Sequence, residues 1–428
     1  MISLIEAENF RSLKYISQRL DRFNVLVGAN ATGKTTFMDL IKFVADIVDN
    51  GIEKAVFERV NNYDELTFGK KGGDIEFAVE LELPQDIVEI IKEEISKTYT
   101  VIRYEIKVGA FDNAEIGIKD EVAWLLPSSQ SSQRDNSKAE RTLFPEYLSS
   151  PKTVFNNSIG KFSGGKVKRI LSKKFGGNDN FYVETSENSG WIPSFKLGIK
   201  KSALGNLPDD PTRFPASSWL KKYLLEEVQL FILNSQIIKR PSPPGQGLSF
   251  KTDGSNLPWV IDNLKRTSLS SFTMWLEHIQ TTLSDIADID TKVREDDRHR
   301  YIFITYKNGV EVPSWLVSDG TLRLLALTIP AYITNLSGTY LIEEPENGIH
   351  PKAIECIFQS LSSVYSAQIL LASHSPVILG IVKPSQLLCF GKTDKGITDV
   401  VLGTEHPKLR DWKGTPNLSS LFAGGILS

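Results

Sequence analysis

Eight residues constrain this chain more than any other stretch. Gly28-Ala-Asn-Ala-Thr-Gly-Lys-Thr35 spells G-x-x-x-x-G-K-[ST], after the strand-forming run Phe23, Val25, Leu26 and Val27 and before helical spacing from Thr36 to Val48. Strand, glycine loop and helix in this order wrap backbone N–H groups round a polyphosphate at a helix N-terminus, where unpaired donors and the helix dipole both favour negative charge. Gly28 and Gly33 let the backbone approach closely, Asn30, Ala31 and Thr32 complete the loop, and Thr36 opens the helix. Lys34 adds a point charge between the β- and γ-phosphates, and the Thr35 hydroxyl suits Mg²⁺. The four fixed letters arise by chance on the order of 1 % of the time in a chain of this length. The flanking strand and helix make a bare glycine turn the weaker reading.

At 428 residues the chain exceeds one ordinary core, so two domains or one domain with a large insertion are expected. With 41 % hydrophobic and 24 % charged residues it belongs to the globular class. A net charge of −3 gives no global attraction to nucleic acid, so any such contact requires a local basic patch. Cys356 and Cys389 lie in apolar surroundings without metal-ligand spacing and read as buried small hydrophobes in a reducing cytosol. The first ten residues lack the basic-then-apolar order of a secretion signal, and no run approaches the roughly 18 uncharged apolar residues of a membrane span. A cytoplasmic protein without membrane contact is expected.

Three stretches follow from the patterning: residues 1–125, 126–285 and 286–428. In the first, residues 2–8, 74–83 and 98–108 alternate apolar and polar, as antiparallel strands with one wet face do, and Asp86–Lys97 reads as a short helix between the last two. In the second, Pro127–Lys138 is polar and poor in apolar residues, and helical stretches are expected at Ser217–Leu233 and Pro258–Asp285. Lys166, Lys168, Arg169, Lys173, Lys174, Lys200 and Lys201 could touch a phosphate backbone, but a solvated basic face is the better reading. In the third, Tyr301–Tyr306 is a strand, Lys307-Asn-Gly309 a hairpin turn and Val310–Trp315 its return.

The second half of the site comes late in the chain. Tyr340, Leu341 and Ile342 form a buried strand ending in Glu343 and Glu344. Two adjacent carboxylates there would resist joint ionisation if merely buried, whereas a metal ion and a water give both a purpose. Glu343 is assigned to the magnesium shell and Glu344 to polarising the attacking water as general base. Gln368–Ala372 is another strand, and His374 at its tip could reach the γ-phosphate.

Together with Ser318-Asp319-Gly320-Thr321, which opens an apolar helix, and Asn347-Gly-Ile-His350, these motifs resemble in their order the ABC-type ATPases of the SMC, RecF and OLD group. Within it the chain is most similar to the stand-alone prokaryotic ATPases often called AAA-family proteins and found in anti-phage defence operons. The resemblance covers the first and third stretches. It implies an α/β fold: an ABC-type ATPase head, made of a P-loop NTPase mixed sheet plus an antiparallel β subdomain, with a largely helical insertion. It implies ATP and Mg²⁺ as ligands, with Lys34, Glu344 and His374 catalytic and Thr35 and Glu343 at the metal. It also implies a homodimer in which two heads sandwich two ATP molecules, Ser318 and Gly320 of one subunit reaching the γ-phosphate held by the other. Arg11, in a turn resembling the family's Phe-Arg element, would lie near the nucleotide.

The chain departs from the family pattern in several places. Glu343 replaces the usual aspartate, Asp319-Gly320-Thr321 replaces Gly-Gly-Gln, and Glu58–Gly69 contains no glutamine for a Q-loop. Phe162-Ser-Gly-Gly-Lys166 spells something nearer the usual signature but opens no apolar helix. The chain after His374 is too short for the nuclease domain of an OLD relative, so a separately encoded effector, nuclease or toxin, is expected. The implied role is the sensor or motor subunit of a bacterial anti-phage defence system. Two alternatives stay open: a DNA-repair or chromosome-maintenance ATPase that contacts nucleic acid, and a slow ATPase scaffold that sequesters a toxin or nuclease.

Overall fold

The strands around the glycine loop carry almost no polar residue, and the computed structural model gives the reason: both of their faces are covered. The structure describes residues 1–112, 115–127, 141–146, 151–155, 167–186, 193–334, 336–410 and 418–424. The polar run 128–138 and the Phe162–Lys166 element lie outside the described residues.

The chain begins with the hairpin β1 (Ile2–Phe10) and β2 (Leu13–Arg19), then β3 (Phe23–Val27), α1 (Lys34–Asn50), α2 (Ile52–Phe57), β4 (Ile75–Glu82), α3 (Gln85–Ile95), β5 (Val101–Ala110) and β6 (Ile116–Leu126). Next come β7 (Lys168–Lys174), β8 (Asp179–Phe181), β9 (Ser194–Phe195), α4 (Pro215–Lys222), β10 (Val228–Phe231), α5 (Ser235–Ile238), α6 (Leu257–Thr267) and α7 (Leu269–Thr282). Then follow β11 (Ile286–Val293), β12 (Arg300–Tyr306), β13 (Glu311–Pro313), α8 (Asp319–Thr328), β14 (Thr339–Glu343) and α9 (Pro351–Ser362). The described chain ends with β15 (Gln368–Ala372), α10 (Pro376–Ile381), β16 (Leu387–Lys392), β17 (Thr398–Leu402), α11 (Pro407–Arg410) and α12 (Leu418–Ala423).

Three sheets result. One is antiparallel, in the order β2-β1-β4-β5-β6-β7-β8-β9; the second, β10-β14-β15-β3-β16-β17, is parallel except for β17; the third is β11-β12-β13. Alternation within the parallel strands divides the core in two. Leu26, Leu341, Leu370 and Leu388 join α1 and the antiparallel sheet in one cluster, while Val25, Ile342, Leu371 and Cys389 join α6 to α9 and the small sheet in another. Helix α1 is therefore the filling between two sheets. Its Phe43 lies 5.5 Å from Phe10 and 5.7 Å from Phe77 between ring centroids. One amide ties the two sheets at their far end. Gln368 accepts from the Ile2 amide (3.1 Å) and Thr339 hydroxyl (2.8 Å) and donates to the carbonyls of Ile2 (2.8 Å) and Asp21 (2.9 Å).

The stretch expected to be an insertion of loops and helices also lends β7–β9 to the antiparallel sheet and β10 to the parallel one. The helix expected through Leu233 ends earlier, passing at Tyr223–Glu227 through a π-turn into β10. Val228 to Phe231 pair in register with Thr339 to Ile342, and that long-range ladder outweighs local helix propensity. The basic cluster divides: Lys173 is buried against Asp179 (2.7 Å) and Lys168 donates to two carbonyls, whereas Arg169, Lys174, Lys200 and Lys201 are exposed, Lys200 pairing at the surface with Glu53 and Glu115. Lys166 lies outside the described residues. Leu418 and Leu421 of α12 are buried in the core, so this helix packs onto its own molecule.

The expected wet face of β4 and β5 is dry. Arg103 reaches Glu6 (2.6 Å), Glu105 (2.6 Å) and Glu80 (3.0 Å), all four side chains buried, and donates to the Val154 carbonyl (3.1 Å) of a segment that crosses the sheet. The charges on this face satisfy one another, so period-two alternation misreads it as solvated. Arg103→Met takes from three buried carboxylates the cation they share and is expected to cost about 3–5 kcal/mol of stability in denaturant melts near neutral pH.

Candidate active site

Register assembles the site. Strands β3, β15 and β14 are adjacent and parallel, with Leu26 beside Ala372 and Ala372 beside Glu343, so their C-terminal tips share one sheet edge. Gly28, His374 and Glu344 leave the sheet there. A cavity of about 470 Å³ opens on that edge, lined by Arg11, Ser12, Asn30, Ala31, Gly33, Lys34, Thr35, Thr36, Glu343, Glu344, Ala372 and His374.

The loop is shaped from behind. A Cβ on Gly28 would stand 2.3 Å from the Phe390 carbonyl oxygen, and one on Gly33, at φ 107°, would stand 2.6 Å from Thr398 Oγ1. Thr398 donates to the Thr32 carbonyl (2.8 Å), and Thr32 donates to that of Ala29 (2.9 Å). The Lys34 ammonium curls back onto the carbonyls of Gly28 (2.8 Å) and Ala29 (2.9 Å). Its burial lowers the pKa to about 8, against the opposing pull of Glu344 and Glu343.

The two acids stand in different environments. Burial raises the pKa of Glu343, the Thr35 hydroxyl counteracts that by hydrogen bonding, and Glu344 and Asp39 raise it further. Glu344 is exposed at φ 44°, a strained conformation for a non-glycine residue, and its amide is held by the Ala372 carbonyl (2.8 Å). Asn347 donates to Glu344 Oε2 (2.6 Å), and His374 Nε2 is 3.8 Å from Oε1. Burial, then Lys34, lower the His374 pKa, so the neutral ring is favoured. Glu346 fixes this strand tip, one oxygen accepting from the Ser373 hydroxyl and the His374 amide, both at 2.8 Å. Arg11, at φ 49°, lies 3.0 Å from Asp39, which also holds Arg59 (2.7 Å).

Ser318, Asp319, Gly320 and Thr321 stand apart from this cavity. Ser318 caps α8, accepting from the Thr321 amide (3.2 Å), and Asp319 pairs with Lys239. Sequence reasoning named Asn347 only as part of a motif, without its contact to Glu344, and missed Ser12, Asp39, Glu346 and Thr398. Asn347 lies three residues after Glu344, a spacing that allows the contact; the others converge only through the tertiary fold. A hard cation fits the Thr35 hydroxyl and Glu343 carboxylate by donor chemistry, and among the described residues no group of three or more His, Cys, Asp or Glu side chains could hold a metal alone. Mg²⁺ suits such a half-site, since it is ordinarily completed by phosphate oxygens and water.

The sequence matches the family model described as "AAA domain, putative AbiEii toxin, Type IV TA system" over residues 23–380. No curated protein matches it. Among solved structures the chain is similar to an SMC head bound to the C-winged helix domain of ScpA, with TM-score 0.50, 12 % identity, and coverage of 94 % of this chain and 96 % of that one. The SMC head domain from Thermotoga maritima (TM-score 0.42, 11 % identity, 94 % and 98 % coverage) also matches. So does an SMC head with an extended coiled coil bound to the C-terminal domain of ScpA derived from Pyrococcus furiosus (0.40, 14 %, 94 % and 95 %).

The lowered pKa of Lys34 makes anion binding pH-dependent. Below about 8 the lysine is already charged; above it, a polyphosphate must draw a proton onto the amine, so affinity falls as pH rises. A weakening of about fivefold between pH 8 and 9 is expected in calorimetric titrations with ATP, with Lys34→Arg flat across that range. A flat wild-type profile would contradict this linkage.

Proposed function

The chain belongs to the AbiEii-type AAA-domain family and has the head fold of the SMC/RecF group of ABC-type ATPases, and on that premise we propose that it hydrolyses ATP. One observation carries the proposal: Lys34, Thr35, Glu343, Glu344 and His374, drawn from three separate regions of sequence, line one cavity. The loop amides and Lys34 hold the phosphates. Thr35 and Glu343 would hold Mg²⁺, which supplies charge neutralisation across the phosphates. Glu344 takes the proton of a water attacking the γ-phosphate in line, with its carboxylate oriented by Asn347. Neutral His374 stands beside it, able to donate or accept at the phosphate edge. Ser318 and Gly320, which do not line their own cavity, act on the triphosphate of a second copy, which gives a two-fold sandwich opened by hydrolysis.

The family description points to toxin–antitoxin biology, which favours a role as the sensor or motor subunit of an anti-phage defence system working with a separately encoded effector. Two members of the basic cluster, Lys168 and Lys173, are engaged within the fold, which reduces the patch on which the DNA-maintenance reading relies. Glu344→Gln is expected to lower ATP turnover by about 10²–10⁴-fold and retain nucleotide binding, whereas Lys34→Ala loses the binding itself. Phosphate release and equilibrium binding separate the two. Normal turnover in Glu344→Gln would remove Glu344 from the chemistry, and normal turnover in Lys34→Ala would end the proposal.

A further inference from the structure

Asp319 is the residue at which the element before α8 departs most from a glycine-rich form. It is exposed at the first position of that helix, beside the capping Ser318, and brings a negative charge to the surface proposed to meet another copy's triphosphate. Left alone, that charge would repel the polyphosphate. Among the described residues the countercharge comes from outside the helix, where Lys239 Nζ forms an ion pair with Asp319 Oδ1. Arg323, one turn along α8, has a buried Nε with no acceptor and gives Asp319 no ion pair.

Lys239 is held in place for this contact. It follows α5 directly, and its carbonyl accepts from the hydroxyl of buried Ser314 (2.9 Å), at the start of the loop that runs to Ser318. On the other side, a Cβ on Gly320 would stand 2.8 Å from the Gly348 carbonyl oxygen, in the turn after Glu344. The loop is braced between Lys239 and that turn.

We propose that Lys239 is a positioning residue for the two-headed assembly: it cancels the charge of Asp319 and so sets how well this loop accepts the triphosphate of a second copy. The inference rests on the sandwich reading above. It gives the 126–285 stretch a part in the reaction through a residue outside every motif.

The test is ATP-driven dimerisation of the full chain, followed by sedimentation in a Glu344→Gln background, with ATP binding measured beside it. Lys239→Ala is expected to raise the dimer dissociation constant by about tenfold or more, because a two-fold assembly loses the contact twice. Nucleotide affinity of the single chain should change by less than about twofold, since Lys239 does not line its own cavity. Lys239→Arg should dimerise like the parent, and adding Asp319→Asn to Lys239→Ala should restore dimerisation to within about threefold. Parent-like dimerisation of Lys239→Ala, or failure of Asp319→Asn to restore it, overturns the inference while the sandwich stands. A parent that never dimerises with ATP overturns the sandwich and this inference together.

Discussion

Parallel pairing in register is the constraint on which the site depends. Leu26, Ala372 and Glu343 lie side by side on β3, β15 and β14, so whatever follows each strand must emerge at the same edge. The phosphate loop, the acidic pair and the histidine meet there although hundreds of residues separate the first from the last. A one-residue slip in any of the three strands would reverse that strand's faces and carry its tip away from the others. The division of alternate side chains between two apolar clusters guards against such a slip, because it would exchange the side chains around which each cluster is packed.

Electrostatics at that edge are balanced but not satisfied. Lys34 is turned onto loop carbonyls, burial depresses its proton affinity, and its two nearest acids only partly offset this. Glu343 is pushed the opposite way by its own burial and by Glu344. A lysine inclined to lose its proton and an acid inclined to gain one both gain from a bound polyphosphate with its cation, which restores the ordinary charge of each. The charges of the cavity are thus consistent with the pair of ligands proposed for it.

How much of this could be read from the sequence depended on the range of the interactions. The glycine loop, the acids after β14 and the histidine after β15 were legible because each is a local pattern: an apolar strand followed by a residue type with little other reason to be there. Strand β10 was not legible, since Val228 to Phe231 become a strand only by lying along β14. The buried ion cluster around Arg103 was misread for the same reason. Alternation reports polarity, and it cannot tell water from a carboxylate contributed by a neighbouring strand. Asp39, Glu346 and Thr398 act by supporting other residues, and no spacing in the chain announces such a role.

The Gln368 amide has a consequence for how the molecule is made. It holds the amide and carbonyl of Ile2, 366 positions earlier in the chain, and with Asp21 and Thr339 it uses all of its hydrogen-bonding capacity. The first strand therefore cannot complete its bonds until translation has delivered β15, and α1 cannot be enclosed on both sides before then. A contact of such long sequence range slows folding. Most of the polypeptide must wait, partly assembled, for its final third.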